Sequence, residues 1–350
     1  MWAELAVVGV KLAFVLAVML TTVPIMVWVE RRGSALIQDR LGPNRVGPFG
    51  LLQPVIDVVK LLTKENLRPE GVKTFLYLLA PVIAIAISLS TFIAVPFGKD
   101  SGLELFGQPV DGFIVAPNLN IGVLYIFSIA SLAVYSVVLA GWSSNNKFAL
   151  FGGIRAAAQA ISYELAMTVA VVGVLMSAGS LNLQQIVDAQ TGTWLGSLPR
   201  WNVFPQLLGA VTFMVAVFAE TNRLPFDLPE AEAELVAGYH TEYSSMGFAA
   251  FYMSEYLHMF VGASLITVLF FGGWNLPWID IPLNGWAGAL LSIAVFATKV
   301  ALFMWFFVWV RWTLPRFRYD QLMALGWKVM IPLATLNILW VGVGLALGYF

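Results

Sequence analysis

The sequence contains no cysteine, which excludes disulfides, thiolate metal sites and cysteine-ligated iron–sulfur clusters. Its two histidines, His240 and His258, are too few to suggest haem or a histidine-rich metal centre. Charge is scarce: 11% of the 350 residues are Asp, Glu, Lys or Arg, where a soluble domain carries roughly a quarter. Low-complexity linkers and readable internal repeats are missing as well. What fills the chain is apolar, with 59% hydrophobic residues and a mean hydropathy of +0.82. No soluble core of this size hides that much apolar surface, so the composition points to an integral membrane protein.

A bilayer span takes about 20 mostly apolar residues. Eight stretches qualify, close to 3–29, 75–97, 119–141, 156–178, 203–221, 248–272, 286–310 and 329–349. The first has no basic segment before it and no small-residue cleavage site after it, and reads as a permanent span rather than a cleaved signal. Pro81 and Pro332 are expected in first turns, where proline costs least. Of the 19 Lys and Arg residues, 15 fall in segments 30–74, 142–155, 222–247 and 311–328. On the other side stand only Lys99 and Arg200, while Lys11 and Lys299 lie within spans. That asymmetry places the first set in the cytoplasm and both termini on the periplasmic side. The fold class is therefore all-α, one membrane domain over 1–350 with about eight transmembrane helices.

The first cytoplasmic loop is more than linker. Over residues 48–65 the apolar Leu51, Leu52, Val55, Val58, Val59 and Leu62 gather near one helix face, with Asp57, Lys60 and Lys64 largely on the other. This predicts an amphipathic helix lying at the membrane surface or against a partner. The turn-rich LGPNRVGP before it would seat it.

Ionisable residues inside spans are costly unless they face protein or water, so each is a functional candidate. Glu164 is expected about nine residues into the fourth span, roughly 13 Å deep, with Arg155, Gln159 and Tyr163 making a polar flank before it. Glu220 closes the fifth span. Glu255 lies in the sixth among Tyr252, Tyr256 and His258, and Lys299 is mid-span in the seventh. Lys11 is the weaker case, because its stem could snorkel outward. One reading pairs these charges to hold helices together; the other makes repeated carboxylates at similar depth a proton relay.

The loop at 222–247 holds Asp227, Glu230, Glu232, Glu234 and Glu242 against Arg223 alone, the reverse of a usual cytoplasmic loop. A charge run is commonly a solvated face. Here it is interleaved with Leu224, Phe226, Leu228, Leu235 and Val236, which should pack, and Glu230 and Glu234 are expected to share a helix face. A buried acidic funnel is the favoured reading. The last cytoplasmic loop, RWTLPRFRYDQ, offers Arg311, Arg316 and Arg318 beside aromatics. It is too short a basic stretch for nucleic acid and suits docking to a peripheral subunit or lipid headgroups.

Four stretches carry a family likeness: ERRGSALIQDRLGPNRVGPFGLLQPVIDVVKLLTKE (30–65), GGIRAAAQAISYE (152–164), AETNRLPFDLPEAEAELVAGYHTEYSSMGFAAFYMSEY (219–256) and PRFRYDQLM (315–323). They closely resemble the family of H-type membrane subunits of proton-pumping NADH:quinone oxidoreductases, the bacterial counterparts of mitochondrial complex I subunit 1. The likeness runs over essentially the whole chain. The resemblance implies a subunit that binds no redox cofactor or metal, with FMN and iron–sulfur clusters in partner subunits and quinone as the substrate. It implies docking of the peripheral arm, here assigned to Arg316 and Arg318, and a quinone tunnel lined by Arg31, Arg40, Asp57, Phe251, Tyr252 and Arg311. It further implies an acid chain of Glu30, Asp57, Glu164, Glu220, Asp227, Glu230, Glu232, Glu234, Glu242 and Glu255, with Lys299 beside it, leading toward the pumps of the membrane arm. The second to sixth helices would resemble half of an antiporter. Such a subunit is inactive alone. It works among other membrane-arm and peripheral-arm subunits in the bacterial inner membrane, the mitochondrial inner membrane being the other compatible location. Three rival readings remain: the related subunit of a membrane-bound hydrogenase or ferredoxin-linked complex, a stand-alone ion transporter using Glu164 and Lys299, and a pure scaffold.

Overall fold

A computed structural model describes residues 2–116, 119–194, 198–278 and 285–348, without the side chains of Asp111, Glu232 and Ala233. The expected end of the eighth span at residue 349 and the side chain of Glu232 lie outside the described residues. Apolar runs of this length have no water to satisfy their peptide groups in a bilayer, so they close their own hydrogen bonds as helices. In chain order these are α1 (Trp2–Ile37), α2 (Gln53–Thr63), α3 (Thr74–Thr91), α4 (Gly122–Ser131), α5 (Ala133–Ser143), α6 (Lys147–Ala178) and α7 (Leu183–Asp188). There follow α8 (Leu207–Glu220), α9 (Glu232–Leu235), α10 (Ser245–Phe270), α11 (Gly285–Thr313), α12 (Tyr319–Ala324) and α13 (Ile331–Ala346). Two small antiparallel hairpins, β1 (Glu104–Leu105) with β2 (Gln108–Pro109) and β3 (Thr193–Trp194) with β4 (Leu198–Pro199), sit in the loops.

Among the described residues, seven segments are long and apolar enough to cross a membrane: α1, Thr74–Ala94, α4 with α5, α6, α10, α11, and α12 with α13. The chain is an all-α multi-pass membrane protein. The fifth expected span, α8, has 14 residues, about 21 Å at 1.5 Å per residue, short of the ~30 Å apolar core of a bilayer. Turns over 202–206 lead into it.

Other boundaries shift as well. α1 runs on to Ile37, so Glu30, Arg31 and Arg32 are helical rather than part of a loop. α6 starts at Lys147, nine residues before the expected start at 156, because the Asn146 side chain accepts from Phe148 N at 2.9 Å and caps it. Glu164 thus lies far deeper along its helix than nine residues. Pro332 stands in the first turn of α13 as expected, although α13 follows α12 and a π-helical turn over Leu325–Met330 without a break, whereas Pro81 lies inside α3 rather than in its first turn. Lys11 is 4% exposed and does not snorkel. Glu230 and Glu234 do not share a helix, since α9 begins only after Ala231, whose φ of 24° and ψ of 64° are non-helical.

The two sets of loops segregate to opposite ends. At one end Leu67 N donates to Ser244 Oγ, Ser245 Oγ to Leu61 O, Asn146 Nδ2 to Glu242 and Phe317 N to Pro225 O. At the other, Gly98 N donates to Gly112 O, Val123 N to Leu181 O and Gly285 N to Ser101 O. Every segment in the Lys- and Arg-rich set therefore meets its fellows, as the charge asymmetry requires.

α10 is the central helix. Of its most apolar stretch 89% is buried, against helices that turn one side to lipid. Small residues allow this: Gly262 stands where a Cβ would strike the Val217 side chain of α8. On α6, a Cβ at Gly152 would come within 2.6 Å of Tyr239 N, so this glycine lets the acid-rich loop lie directly on the helix.

α2 forms where the amphipathic pattern predicts. Its protein side carries Pro54, Asp57 and Leu61, while Leu51, Leu52, Val55, Val59 and Leu62 are each about half exposed. Asp57 is thus turned toward the protein rather than sharing the outer face of Lys60 and Lys64.

The absence of cysteine makes the topology directly testable. In intact cells whose outer barrier is permeabilised, Glu104→Cys and Leu347→Cys should react with a membrane-impermeant maleimide. Lys64→Cys should react only after the inner bilayer is opened. Labelling of Leu347→Cys from the cytoplasmic side alone would refute the topology.

Candidate functional site

The acid-rich loop and the ends of α1, α10 and α11 enclose a cluster of charges. Glu30, 7% exposed, accepts from Tyr256 Oη at 2.6 Å and from Arg223 Nη1 at 3.2 Å, and also bonds Arg311. Arg223 is 4% exposed and reaches Glu255 with its other Nη at 3.7 Å. The guanidinium also lies 4.3 Å from the Tyr256 ring centre and 5.5 Å from that of Tyr252, within range of a cation–π attraction. Burial alone would lower the pKa of Arg223, but Glu30, the tyrosines and Glu255 hold it well above its ordinary value. Sequence reasoning takes this residue for an ordinary cytoplasmic cation. The signal that could have found it is its isolation, as the lone cation among five acids.

The inward acids of the loop extend the cluster. Glu230 lies at hydrogen-bond range of Glu255 and 3.9 Å from His240 Nδ1. Tyr239 Oη donates to Glu255 at 3.0 Å, and burial with the two nearby glutamates raises the Tyr239 pKa well above its ordinary value. Asp227 pairs with Arg316 at 2.6 Å. Even so, burial and the neighbouring Glu230 push its carboxyl up to about 6, outweighing Arg316 and Arg311. The outward acids do something else: Glu234 is exposed and pairs with Arg155 at 2.6 Å, and Glu242 accepts from Asn146 at 2.5 Å.

Gln159 and Tyr163 of α6 pin this loop and the last one. Gln159 Nε2 donates to Ala219 O at 2.7 Å and Phe226 O at 2.8 Å, and Tyr163 Oη donates to Leu322 O at 2.7 Å. They explain a polar flank on an otherwise apolar helix.

From the cluster a cavity of about 70 Å³ runs between α3, α4–α5, α6 and α10. Its walls include Glu164, Glu220, Tyr239, Phe251, Ser254, Glu255 and His258. Glu164 reaches Ser131, and Glu220 has Glu164 as its charged neighbour. The break between α4 and α5 at Leu132 falls on the cavity wall, with Ser131 and Ser136 on either side. Glu255 therefore belongs both to the cluster and to the cavity.

The remaining candidates are placed apart. Arg31 binds Asp57 at 2.5 Å, tying α2 to α1, and Arg40 bonds Gln38 at 2.7 Å and Ser34 at 3.2 Å on an exposed surface. Tyr252 stacks on Phe248 and faces Arg223. Arg318 is exposed and held by Asp320. Lys299 does not join the carboxylates. Its Nζ donates to Phe271 O, Gly273 O and Asn275 O at 2.6–2.9 Å and lies 4.5 Å from the Trp201 ring centre, capping the far end of α10. That separation weighs against a Glu164–Lys299 ion site. No group of three metal-ligating side chains occurs among the described residues.

The sequence profile of the family described as NADH dehydrogenase matches residues 10–342. The chain is 46% identical to the H-type subunit of the NADH-quinone oxidoreductase of Bdellovibrio bacteriovorus, over 95% of this chain and 94% of that one. It is 48% identical to an H-type subunit of the NADH-quinone oxidoreductase of Geobacter metallireducens, over 97% and 96% of the two chains. With NADH-quinone oxidoreductase subunit 8 of Rhodothermus marinus it shares 46% identity over 94% of each.

Removing Arg223 takes the cation from buried Glu255 and leaves Glu30 with Arg311 alone; breaking a buried pair in this way typically costs about 3–5 kcal/mol. Arg223→Met should lower the thermal unfolding midpoint in detergent, and adding Glu30→Gln should restore part of it. Additive losses would show that the two residues do not interact. The raised Asp227 pKa means that the folded chain binds that proton more tightly than the unfolded chain, so its stability falls as pH rises from about 4 to about 6. Asp227→Asn should flatten the unfolding midpoint across that window, and an unchanged slope would refute the assignment.

Proposed function

The chain belongs to the NADH dehydrogenase family, and on that premise we propose that it is the subunit of a proton-translocating NADH–quinone oxidoreductase that joins the quinone site to the membrane arm. The carrying observation is the unbroken set of buried groups from Glu30 through Arg223 and Glu255 to the cavity holding Glu220 and Glu164. It begins at the end of α1 beside Arg31, Arg311 and Tyr252, where the quinone headgroup would be received. Arg40, Asp57 and Phe251 complete the proposed quinone-site residues.

The chemistry follows from what these groups can exchange. Quinone reduction consumes protons and changes local charge. A change at Asp57, Glu30 or Asp227 alters the field on Arg223, which touches both Glu30 and Glu255. Glu255 passes the change to the cavity, where Glu220 and Glu164 can hand a proton on. Such a line of groups is a physical route for coupling only if shifting one member shifts the next. FMN and iron–sulfur clusters belong to partner subunits in this reading, and the peripheral arm docks on the α2 face and the loop bearing Arg316 and Arg318. The home membrane is the bacterial inner membrane.

Reconstituting the assembled complex in proteoliposomes tests the route. Glu220→Gln should keep assembly and lower the rate of proton uptake at least tenfold, and quinone reduction should fall with it where coupling is tight. Full pumping by assembled Glu220→Gln complex would overturn the reading and favour a scaffold.

A further inference from the structure

His258 is a partly buried titratable side chain on the cavity wall that the proposed route leaves unused. It sits one turn below Ser254 on α10, and its Nδ1 is 2.9 Å from Ser254 O. A carbonyl only accepts, so Nδ1 carries the hydrogen there. The nearby hydroxyls agree with this tautomer. Ser88 and Ser254 lie 2.6 Å apart and both lie within bonding distance of Ala84 O, at 2.8 and 3.1 Å, so their two protons are taken up by each other and by that carbonyl. Nε2 is then a lone-pair acceptor. It is buried and has no hydrogen-bond partner.

An orphaned acceptor in an apolar wall would be destabilising with nothing gained. This one belongs to a ring lining the cavity shared by Glu164, Glu220 and Glu255, with Tyr239 as the other titratable group on its walls. At about 70 Å³ the cavity has room for water. Ionised carboxylates cannot donate to Nε2. A water or a protonated carboxyl can.

We propose that His258 is a proton-accepting station of this cavity, receiving the proton at Nε2 from Glu220 or Glu255, directly or through a water. The transfer turns a neutral carboxyl and a neutral imidazole into a carboxylate and an imidazolium. The cavity's net charge is unchanged by it, and Ser254 O continues to hold Nδ1–H in both states. The reverse transfer resets the station. The charged groups that face the ring's surroundings are Glu164 from α6, Glu220 from α8 and Glu255 from α10, with Arg223 behind Glu255. α3 contributes the hydroxyl of Ser88, 3.2 Å from Nδ1.

This inference rests on the relay reading above, and the test separates the two. Whole complex carrying His258→Gln, His258→Ala or Glu220→Gln is reconstituted in vesicles, with assembly judged by co-purification of the other subunits. Proton uptake and quinone reduction are followed from pH 5.5 to 8.5. Gln keeps a hydrogen-bonding side chain but cannot take a proton, so a merely structural or water-ordering role is restored by Gln and not by Ala. The expected result is that His258→Gln and His258→Ala both slow proton uptake at least threefold and flatten its pH profile relative to the unsubstituted complex. A His258→Gln complex with native uptake and native pH profile overturns the station. If Glu220→Gln still abolishes uptake in that case, the relay stands without His258; if it does not, the relay falls too. Should His258→Ala fail to assemble, the Gln variant alone decides.

Discussion

The pairing of Arg223 with Glu30 and Glu255 is the interaction on which the Lys- and Arg-rich end of this molecule depends. An arginine 4% exposed is tolerable only where carboxylates and aromatic faces replace its water. Here Glu30 comes from α1, Glu255 and Tyr256 from α10, and Arg223 itself from the loop between α8 and α9. Arg311 adds α11 to the same carboxylate. One charge pair thus gathers three helices and folds the acid-rich loop inward. That is why Asp227 is buried and Glu230 half-buried while Glu234 faces outward.

Much of this is legible in the sequence. Twenty-residue apolar runs mark the helices, and the distribution of Lys and Arg sorts the loops into the two ends that the hydrogen bonds join. Glu30, Arg311, Glu164, Glu220 and Glu255 stand out because charge in or beside an apolar run has few harmless explanations. Other features leave no local trace. The interruption at Leu132 has neither proline nor glycine to announce it. The non-helical backbone of Ala231, which sends Glu230 inward and Glu234 outward, depends on the loop lying against α6. Arg223 is hidden by its ordinariness, since a single arginine after a span is what the positive-inside pattern expects. Lys299 misleads for the opposite reason: its depth suggests chemistry, and its three carbonyl partners make it a cap.

α10 links these observations. Because it is enclosed on nearly every side, its polar residues Ser254, Glu255, Tyr256 and His258 face protein rather than lipid. Each finds a partner or a cavity wall, and the spacing along the helix puts the Arg223 cluster above and the carboxylate cavity beside it. The far end is closed by Lys299, which caps the helix beside Trp201. A membrane helix that carried these residues on a lipid-facing surface would be severely destabilised.

The buried cluster also has a parity. Glu30, Asp227, Glu230 and Glu255 face three guanidinium groups, Arg223, Arg311 and Arg316. With all seven groups ionised the carboxylates outnumber the guanidinium groups by one, so a negative charge added beside Arg311 or Asp57 meets an unbalanced set of acids rather than a neutral one.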